Sequence, residues 1–162
     1  MNIIIIGMPG SGKTTIGELL SSKLRMRFID TDDLIVEIAR KSIDKIFSED
    51  GEEEFRRIET IALKEALKSK NAVISTGGGI VVKDRNIDIL KNEEYVIFVD
   101  RSVEDILDTL DSESRPLLKD DQNRIYKLYD QRYDRYIESA KIIVKNDKYL
   151  TDVVKDIINS IK

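Results

Sequence analysis

Residues 7–14 carry the clearest chemical signature in the chain. They read Gly-Met-Pro-Gly-Ser-Gly-Lys-Thr and match the phosphate-binding pattern G-x-x-x-x-G-K-[ST]. Glycines here let consecutive backbone N–H groups face phosphate oxygens, and the N-terminus of the following helix adds its positive dipole end. We expect Lys13 to reach the outer phosphates and the Thr14 hydroxyl to bind magnesium. The expected nucleotide-binding residues of this segment are Gly10, Ser11, Gly12, Lys13, Thr14 and Thr15.

The residues on either side of this loop have the order that such a loop requires. Residues 3–6 are consecutive isoleucines, typical of a buried strand, and residues 15–24 carry apolar side chains at helical spacing. The alternative is that the glycines only turn a strand into a helix. The order of strand, turn and helix favours nucleotide binding over that alternative.

Composition narrows the class of protein. The 162 residues fit one domain, 1–162, and the formal net charge of −4 is spread along the chain, so no nucleic-acid partner is expected. No apolar stretch is long enough to span a bilayer and no secretion signal is seen, so we expect no membrane partner and a cytoplasmic protein.

The absence of cysteine and histidine restricts the available chemistry. A general base working near neutral pH would have to be a carboxylate, a lysine or a tyrosine. A catalytic metal would have to be a hard cation bound by oxygen, and beside a phosphate-binding loop this indicates Mg²⁺.

Short apolar strands alternate with helical segments along the whole chain. The predicted strands are 3–6, 27–30, 72–75, 95–99 and 141–144. This pattern predicts an α/β fold with a five-stranded parallel sheet covered by helices on both faces. Right-handed connections bring the strand ends, and thus residues 7–14, 30–33 and 76–79, to one rim of the sheet.

Two arginines interrupt the apolar faces of predicted helices. Arg56 shares a helical stripe with two leucines, whereas its neighbour Arg57 shares one with two lysines, so Arg56 should point inward. Arg132 is the one charge in an apolar and aromatic stripe of a later helix. An inward arginine needs a carboxylate partner, and either an internal group such as Glu59 or an anionic substrate would supply it.

Residues 111–122 are polar, contain Pro116 and show no periodicity, which predicts a mobile loop. If this loop closes over a bound nucleotide, Arg115 can reach the transferring phosphoryl group. The alternative is an ordinary exposed arginine.

Taken together, these motifs resemble the shikimate kinase family. The motifs, in chain order, are residues 7–14, Asp30-Thr31-Asp32, Phe55-Arg56-Arg57-Ile58-Glu59, Thr76-Gly77-Gly78-Gly79 and Arg115-Pro116-Leu117-Leu118. The resemblance covers nearly the whole chain. It implies a three-layer P-loop kinase fold with a mobile lid at about 111–122. It also implies transfer of a phosphoryl group from ATP, with Mg²⁺, to the 3-hydroxyl of shikimate, a step towards chorismate in aromatic amino-acid biosynthesis.

The resemblance also implies roles for single residues. Lys13, Asp32 and Arg115 would be catalytic, with Asp32 binding the acceptor hydroxyl as general base and Arg115 also contacting the nucleotide. Asp30 and Ser75 would hold the water shell of a magnesium ion bound at Thr14. The implied substrate-binding residues, within a region of about 32–60 and beyond it, are Asp32, Phe55, Arg56, Glu59, Gly77, Gly78, Gly79 and Arg132.

The chain departs from the family pattern in one place and is ambiguous in others. Family members often place an arginine over the adenine from the helix before the lid, but residues 103–113 contain no lysine or arginine. Residues 146–148 either contribute backbone contacts to the nucleotide or are ordinary loop residues. Asp100 also ends an apolar strand and is a rival to Asp30 at the metal.

Other functions remain open at this point. The nearest alternative is another small phosphate-loop kinase acting on a nucleoside monophosphate or gluconate. A catalytically silent nucleotide-binding module is a second alternative. We expect the protein to be a monomer.

Overall fold

The computed structural model describes residues 1–113 and 119–162. The strands are β1 (Asn2–Ile6), β2 (Arg27–Asp30), β3 (Ala72–Ser75), β4 (Tyr95–Asp100) and β5 (Ile142–Lys145). The helices are α1 (Lys13–Leu24), α2 (Thr31–Ala39), α3 (Ile43–Lys45, continued by a π-helical turn at Ile46–Asp50), α4 (Glu52–Leu67), α5 (Asp84–Lys91), α6 (Val103–Glu113), α7 (Lys119–Ser139) and α8 (Leu150–Ser160).

The five strands form one parallel sheet in the order β2-β3-β1-β4-β5. The central strand β1 pairs with β3 on one side and β4 on the other, and its residue Ile4 lies opposite Ile74 and Val96. The segment 7–14 therefore follows the central strand of the sheet. The predicted five-stranded parallel sheet is confirmed.

Helices cover both faces of the sheet, which follows from the alternation of side chains along each strand. Ile4 and Ile6 pack on one face with residues of α4, α5, α6 and α7. Ile3 and Ile5 pack on the other face with residues of α1 and α8. The result is the predicted three-layer arrangement. Among the described helices, none has both the length and the apolar character needed to cross a membrane.

The prediction of a loop over residues 111–122 is wrong at both ends of that range. Helix α6 continues through residue 113, and α7 begins at residue 119, so only 114–118 lie outside the described residues. Asp120 and Asp121 stand in the first turn of α7, where negative charge is favoured by the helix dipole. A polar helix turn with little apolar periodicity cannot be told from a loop by its pattern, which explains the error.

Helix α2 also begins earlier than its apolar pattern indicates. Its N-cap is Asp30, whose Oδ1 accepts a hydrogen bond of 2.8 Å from the backbone N–H of Asp32. Asp32 thus stands in the first turn of a helix rather than on an extended strand end.

A buried polar network connects α4 and α5 to the segment after β3. The Thr60 hydroxyl donates to Asn86 Oδ1 at 2.7 Å, and Asn86 Nδ2 donates to the Ile80 carbonyl at 3.0 Å. The Asn86 side chain is fully buried, so the Ile80 carbonyl depends on it for a partner away from water.

We predict that Asn86→Ala lowers the free energy of unfolding by about 2 kcal/mol, because it leaves buried polar groups unpaired. Asn92→Ala is the matched control, since Asn92 also donates to a backbone carbonyl but is exposed. We expect the control to change stability by about 0.5 kcal/mol or less. Urea unfolding of both variants tests this, and equal losses would contradict it.

Candidate active site

The loop between β1 and α1 has the geometry of a phosphate cradle. Gly10 (φ 78°) and Gly12 (φ 93°) adopt left-handed backbone angles that favour glycine. The Ser11 N–H donates to the Met8 carbonyl at 3.1 Å and closes a turn. Lys13 Nζ donates to the same carbonyl at 2.8 Å, which holds the ammonium group across the loop.

Two side chains from distant parts of the chain hold the outer side of this loop. Arg101, directly after β4, donates from Nη1 to the Gly10 carbonyl at 2.9 Å. Asn146, directly after β5, donates from Nδ2 to the Ser11 carbonyl at 2.8 Å. Because the C=O and N–H of a trans peptide point in opposite directions, the bond to the Ser11 carbonyl directs the Gly12 N–H away from Asn146. Sequence reasoning missed Arg101, although its position directly after a strand was the available signal.

Buried Lys13 and the half-buried Asp30 and Asp32 form a charge cluster. Burial lowers the pKa of Lys13 to about 8, while the nearby carboxylates of Asp32 and Asp30 oppose this shift. Burial also raises the pKa of both aspartates, and Lys13 works against that rise. An anionic ligand at this cluster would favour the charged form of Lys13.

The side chains around this cluster fit a hard cation. Thr14 is exposed at the start of α1, and Ser75 lies opposite Asp30 in the β2–β3 register. The Ser75 hydroxyl is buried without a hydrogen-bond partner among the described residues. The described residues contain no cluster of three or more Asp, Glu, His or Cys side chains suited to a metal. These hydroxyls and carboxylates therefore suit an ion that keeps much of its water shell, as Mg²⁺ does.

Asp100, the rival to Asp30, is engaged elsewhere. Its Oδ1 accepts a hydrogen bond of 3.1 Å from the Tyr129 hydroxyl. It lines a cavity of about 230 Å³ together with Asn146 and other residues after β4 and β5. Asp30, by contrast, lies close enough to Lys13 for each charge to affect the other's pKa.

Arg56 points inward and Arg57 outward, as predicted. Arg56 is only 6% exposed, and its Nη1 donates to Glu59 Oε1 at 3.0 Å and to the Gly79 carbonyl at 3.1 Å. Its Nη2 makes a longer contact of 3.4 Å with the exposed Glu52. Its Nε is buried without a partner among the described residues, so one edge of the guanidinium remains available to a planar anion.

The three glycines after β3 leave room for the groups that meet there. A Cβ at Gly79 would lie 2.2 Å from Arg56 Nη1, and one at Gly78 would lie 2.5 Å from the Pro9 ring. A Cβ at Gly77 would lie 3.0 Å from Asp32 Oδ1. The resemblance implies that these three glycines bind substrate, and their lack of side chains also allows close approach of the protein's own Asp32, Pro9 and Arg56.

Glu59 and Phe55 complete the wall beside these glycines. Glu59 Oε2 would lie 3.6 Å from a Cβ at Gly77, and burial raises the pKa of Glu59 while Arg56 opposes the rise. Phe55 is buried, with its ring 4.5 Å from the Phe47 ring and 5.1 Å from the Arg56 guanidinium carbon.

Arg132 reaches the same region from α7. It is half-buried, and its charge acts on Lys13, on Glu59 and on Tyr136. The Tyr136 hydroxyl donates to the Gly78 carbonyl at 2.5 Å, and burial raises its pKa to about 12 although Arg132 opposes the rise. The fold thus brings Arg132 together with the charge cluster. Arg115 lies outside the described residues.

The burial of Lys13 predicts a pH-dependent stability. Between pH 8 and 10.5 an unfolded lysine holds its proton and the buried one does not, so the free energy of unfolding rises with pH. This contribution is complete above 10.5 and is lost as the pH falls through 8. Between pH 7 and 9.5 it amounts to about 2 kcal/mol. Urea unfolding of the wild type and Lys13→Met at both pH values tests this, and the same pH dependence in both proteins would contradict it.

Comparison with known proteins agrees with this geometry. The sequence model of the shikimate kinase family matches residues 9–162. A Clostridium botulinum shikimate kinase is 48% identical over 96% of this chain and 93% of its own length. The structure of Acinetobacter baumannii shikimate kinase in complex with shikimate has a TM-score of 0.90 at 31% identity, covering 99% of this chain and 92% of that one.

A gluconokinase from Sinorhizobium meliloti shares the fold alone. Its TM-score is 0.62 at 16% identity, over 98% of this chain and 89% of its own. The shikimate kinases, by contrast, agree with this chain in both sequence and structure. The chain therefore belongs to the shikimate kinase family.

Proposed function

We propose that the residues gathered at this rim perform the family's reaction in the following way. The reaction is the transfer of the γ-phosphoryl group of ATP to the 3-hydroxyl of shikimate, which gives shikimate 3-phosphate for aromatic amino-acid biosynthesis. The observation that carries the proposal is the juxtaposition of two buried features. These are Lys13 with its aspartates at the phosphate-binding loop, and the partly unpaired Arg56 guanidinium beside the glycine segment.

ATP is bound through its phosphates by residues 10–15. The inward-facing N–H groups of the loop and the Lys13 ammonium neutralise the phosphate charge. Thr14 would hold Mg²⁺, with Asp30 and Ser75 contacting its water shell. When bound, this ion neutralises charge on the phosphates.

The adenine occupies the cavity of about 410 Å³ next to the loop. Arg101, Asn146 and Tyr149 contribute to its lining. Arg101 Nη2 donates to Thr109 Oγ1 at 2.6 Å, so the guanidinium is fixed between α6 and the loop. Arg101 thereby offers a planar cation to the base from the end of β4, although α6 has no arginine of its own.

Shikimate is oriented by its carboxylate. Arg56 presents its unpartnered Nε beside Nη2, and the exposed Glu52 gives up its long contact to the substrate. Arg132 binds the same carboxylate from α7. Glu59, Phe55 and residues 77–79 form the wall of the pocket. A carboxylate held by two arginines fixes the ring and its hydroxyl for attack.

Asp32 accepts the proton of the 3-hydroxyl. Burial raises the pKa of its carboxyl group and so makes the carboxylate more basic, while Lys13 opposes the rise. Lys13, and Arg115 on closure of the lid, stabilise the charge on the moving phosphoryl group. Because a single chain supplies all these groups, we propose that the protein acts as a monomer. We also propose that it acts in the cytoplasm, without nucleic-acid or membrane partners.

The proposed function is tested by measuring ADP release from ATP and Mg²⁺ with shikimate, gluconate, adenosine monophosphate or no acceptor. We expect release with shikimate alone. Release only with another acceptor would assign a different substrate, and ATP binding without any release would favour a silent nucleotide-binding module.

We expect Asp32→Asn to bind ADP normally in a binding titration but to lose most of its turnover in the assay of ADP release. Unchanged turnover would remove Asp32 from the mechanism.

The two adjacent arginines give a matched test of the carboxylate clamp. We predict that Arg56→Lys raises the KM for shikimate by about tenfold or more, because a point charge cannot replace the planar fork. The KM for ATP should change by less than about twofold. Arg57→Lys is the control, since Arg57 is exposed and pairs only with Glu54 among the described residues. Equal effects of the two substitutions would refute the clamp.

A further inference from the structure

Residues 78–82 form a strap in which each backbone carbonyl accepts a hydrogen bond from a side chain. The donors, in order from Gly78 to Val82, are Tyr136, Arg56, Asn86, Arg135 and Arg135 again. These donors come from three helices, α4, α5 and α7. The strap is therefore a common anchor for these three helices.

Arg135 makes the largest number of these contacts. Its Nε donates to the Val81 carbonyl at 2.6 Å, and its Nη2 donates to the Val82 carbonyl at 3.2 Å. Nη2 also donates to Asp84 Oδ1 at 2.6 Å. The guanidinium fork thus holds two successive carbonyls and one carboxylate, a pattern that needs the geometry of arginine.

Arg135 lies three residues after Arg132 on the same helix. The strap carbonyl of Gly79 is in turn bonded to Arg56 at 3.1 Å. The two arginines of the clamp are therefore connected through the strap, with Arg56 bonded to it directly and Arg132 held through Arg135 and Tyr136. Any shift of α7 against the strap changes the spacing between the two guanidinium groups.

We propose that Arg135 is a positioning residue that sets the spacing of Arg56 and Arg132 for the substrate carboxylate. The inference rests on the proposed function, because it assigns the clamp to those two arginines. Arg135 acts by fixing α7 on the strap and does not contact the reacting atoms. A misplaced guanidinium loses one of two parallel hydrogen bonds, so binding of a planar carboxylate is the property that Arg135 controls.

The primary experiment compares Arg135→Gln with the wild type in steady-state kinetics. We expect the KM for shikimate to rise about tenfold while kcat and the KM for ATP change by less than about twofold. Arg135→Lys should restore part of the affinity, since one charged donor remains. Asp84→Asn removes only the exposed partner of Arg135 and should raise the same KM about twofold to threefold.

Glu138→Gln serves as the matched control. Glu138 is also on α7 and accepts a hydrogen bond of 2.5 Å from Lys91 of α5, but among the described contacts it has none with the strap. Glu138→Gln therefore measures how much the KM for shikimate changes when α7 loses a contact with α5 that does not involve the strap. Its KM for shikimate should stay within about twofold of the wild-type value.

A double-mutant comparison separates positioning from general destabilisation. If Arg135 acts through Arg132, then Arg135→Gln introduced into Arg132→Lys should raise the KM for shikimate by less than about twofold. A full tenfold further increase in that background would overturn the proposal. So would an unchanged KM in Arg135→Gln, or a loss of similar size in Glu138→Gln.

Failure of this inference is distinguishable from failure of the proposed function. Wild-type protein without shikimate-dependent ADP release would refute the proposed function, and the positioning role with it. Active wild type with a normal KM in Arg135→Gln would refute the positioning role alone. If Arg135→Gln does not fold, Arg135→Lys and Asp84→Asn carry the same test, and normal KM values in both would overturn the proposal.

Discussion

The site depends on the absence of side chains at residues 77–79. A Cβ at Gly78 would overlap the Pro9 ring, and one at Gly79 would overlap the Arg56 guanidinium. This close packing brings the loop after β1 and the helix α4 onto the same stretch of backbone. Under the proposed function, the nucleotide-binding residues and the acceptor-binding residues therefore lie side by side, as transfer between two bound molecules requires.

The charges at this contact are buried in opposing pairs. Lys13 faces Asp30 and Asp32, and Arg56 faces Glu59, so neither cation is left without compensation. Compensation is incomplete, however: burial lowers the pKa of Lys13 and raises that of Glu59. Under the proposed function, cations whose charge is only partly compensated would favour the binding of a phosphate and of a carboxylate group.

Much of this arrangement could be predicted from sequence. The strands followed from runs of β-branched residues, with ends within one residue of those observed. The inward direction of Arg56 followed from its helical stripe, because that stripe is set by residues close in sequence. The helical turns at 111–113 and 119–122 could not be found, since exposed polar helices lack apolar periodicity. The position of Arg101 directly after a strand was a usable signal, but its bond to Gly10 could not be predicted, because it joins residues 91 positions apart through a long side chain.

The two braces on the phosphate-binding loop have a consequence for the order in which the protein becomes competent during synthesis. The loop lies at the start of the chain, but its outer carbonyls are bonded by Arg101 and by Asn146, which is 135 residues away from Ser11. Asn146 is therefore synthesised 135 residues after Ser11, so the loop sequence exists well before this brace does. Contacts of such long sequence separation also form late, because a large loop must be closed first. A nascent chain that already contains the loop sequence therefore lacks both braces, and the loop reaches its final shape only when the segments after β4 and β5 are in place.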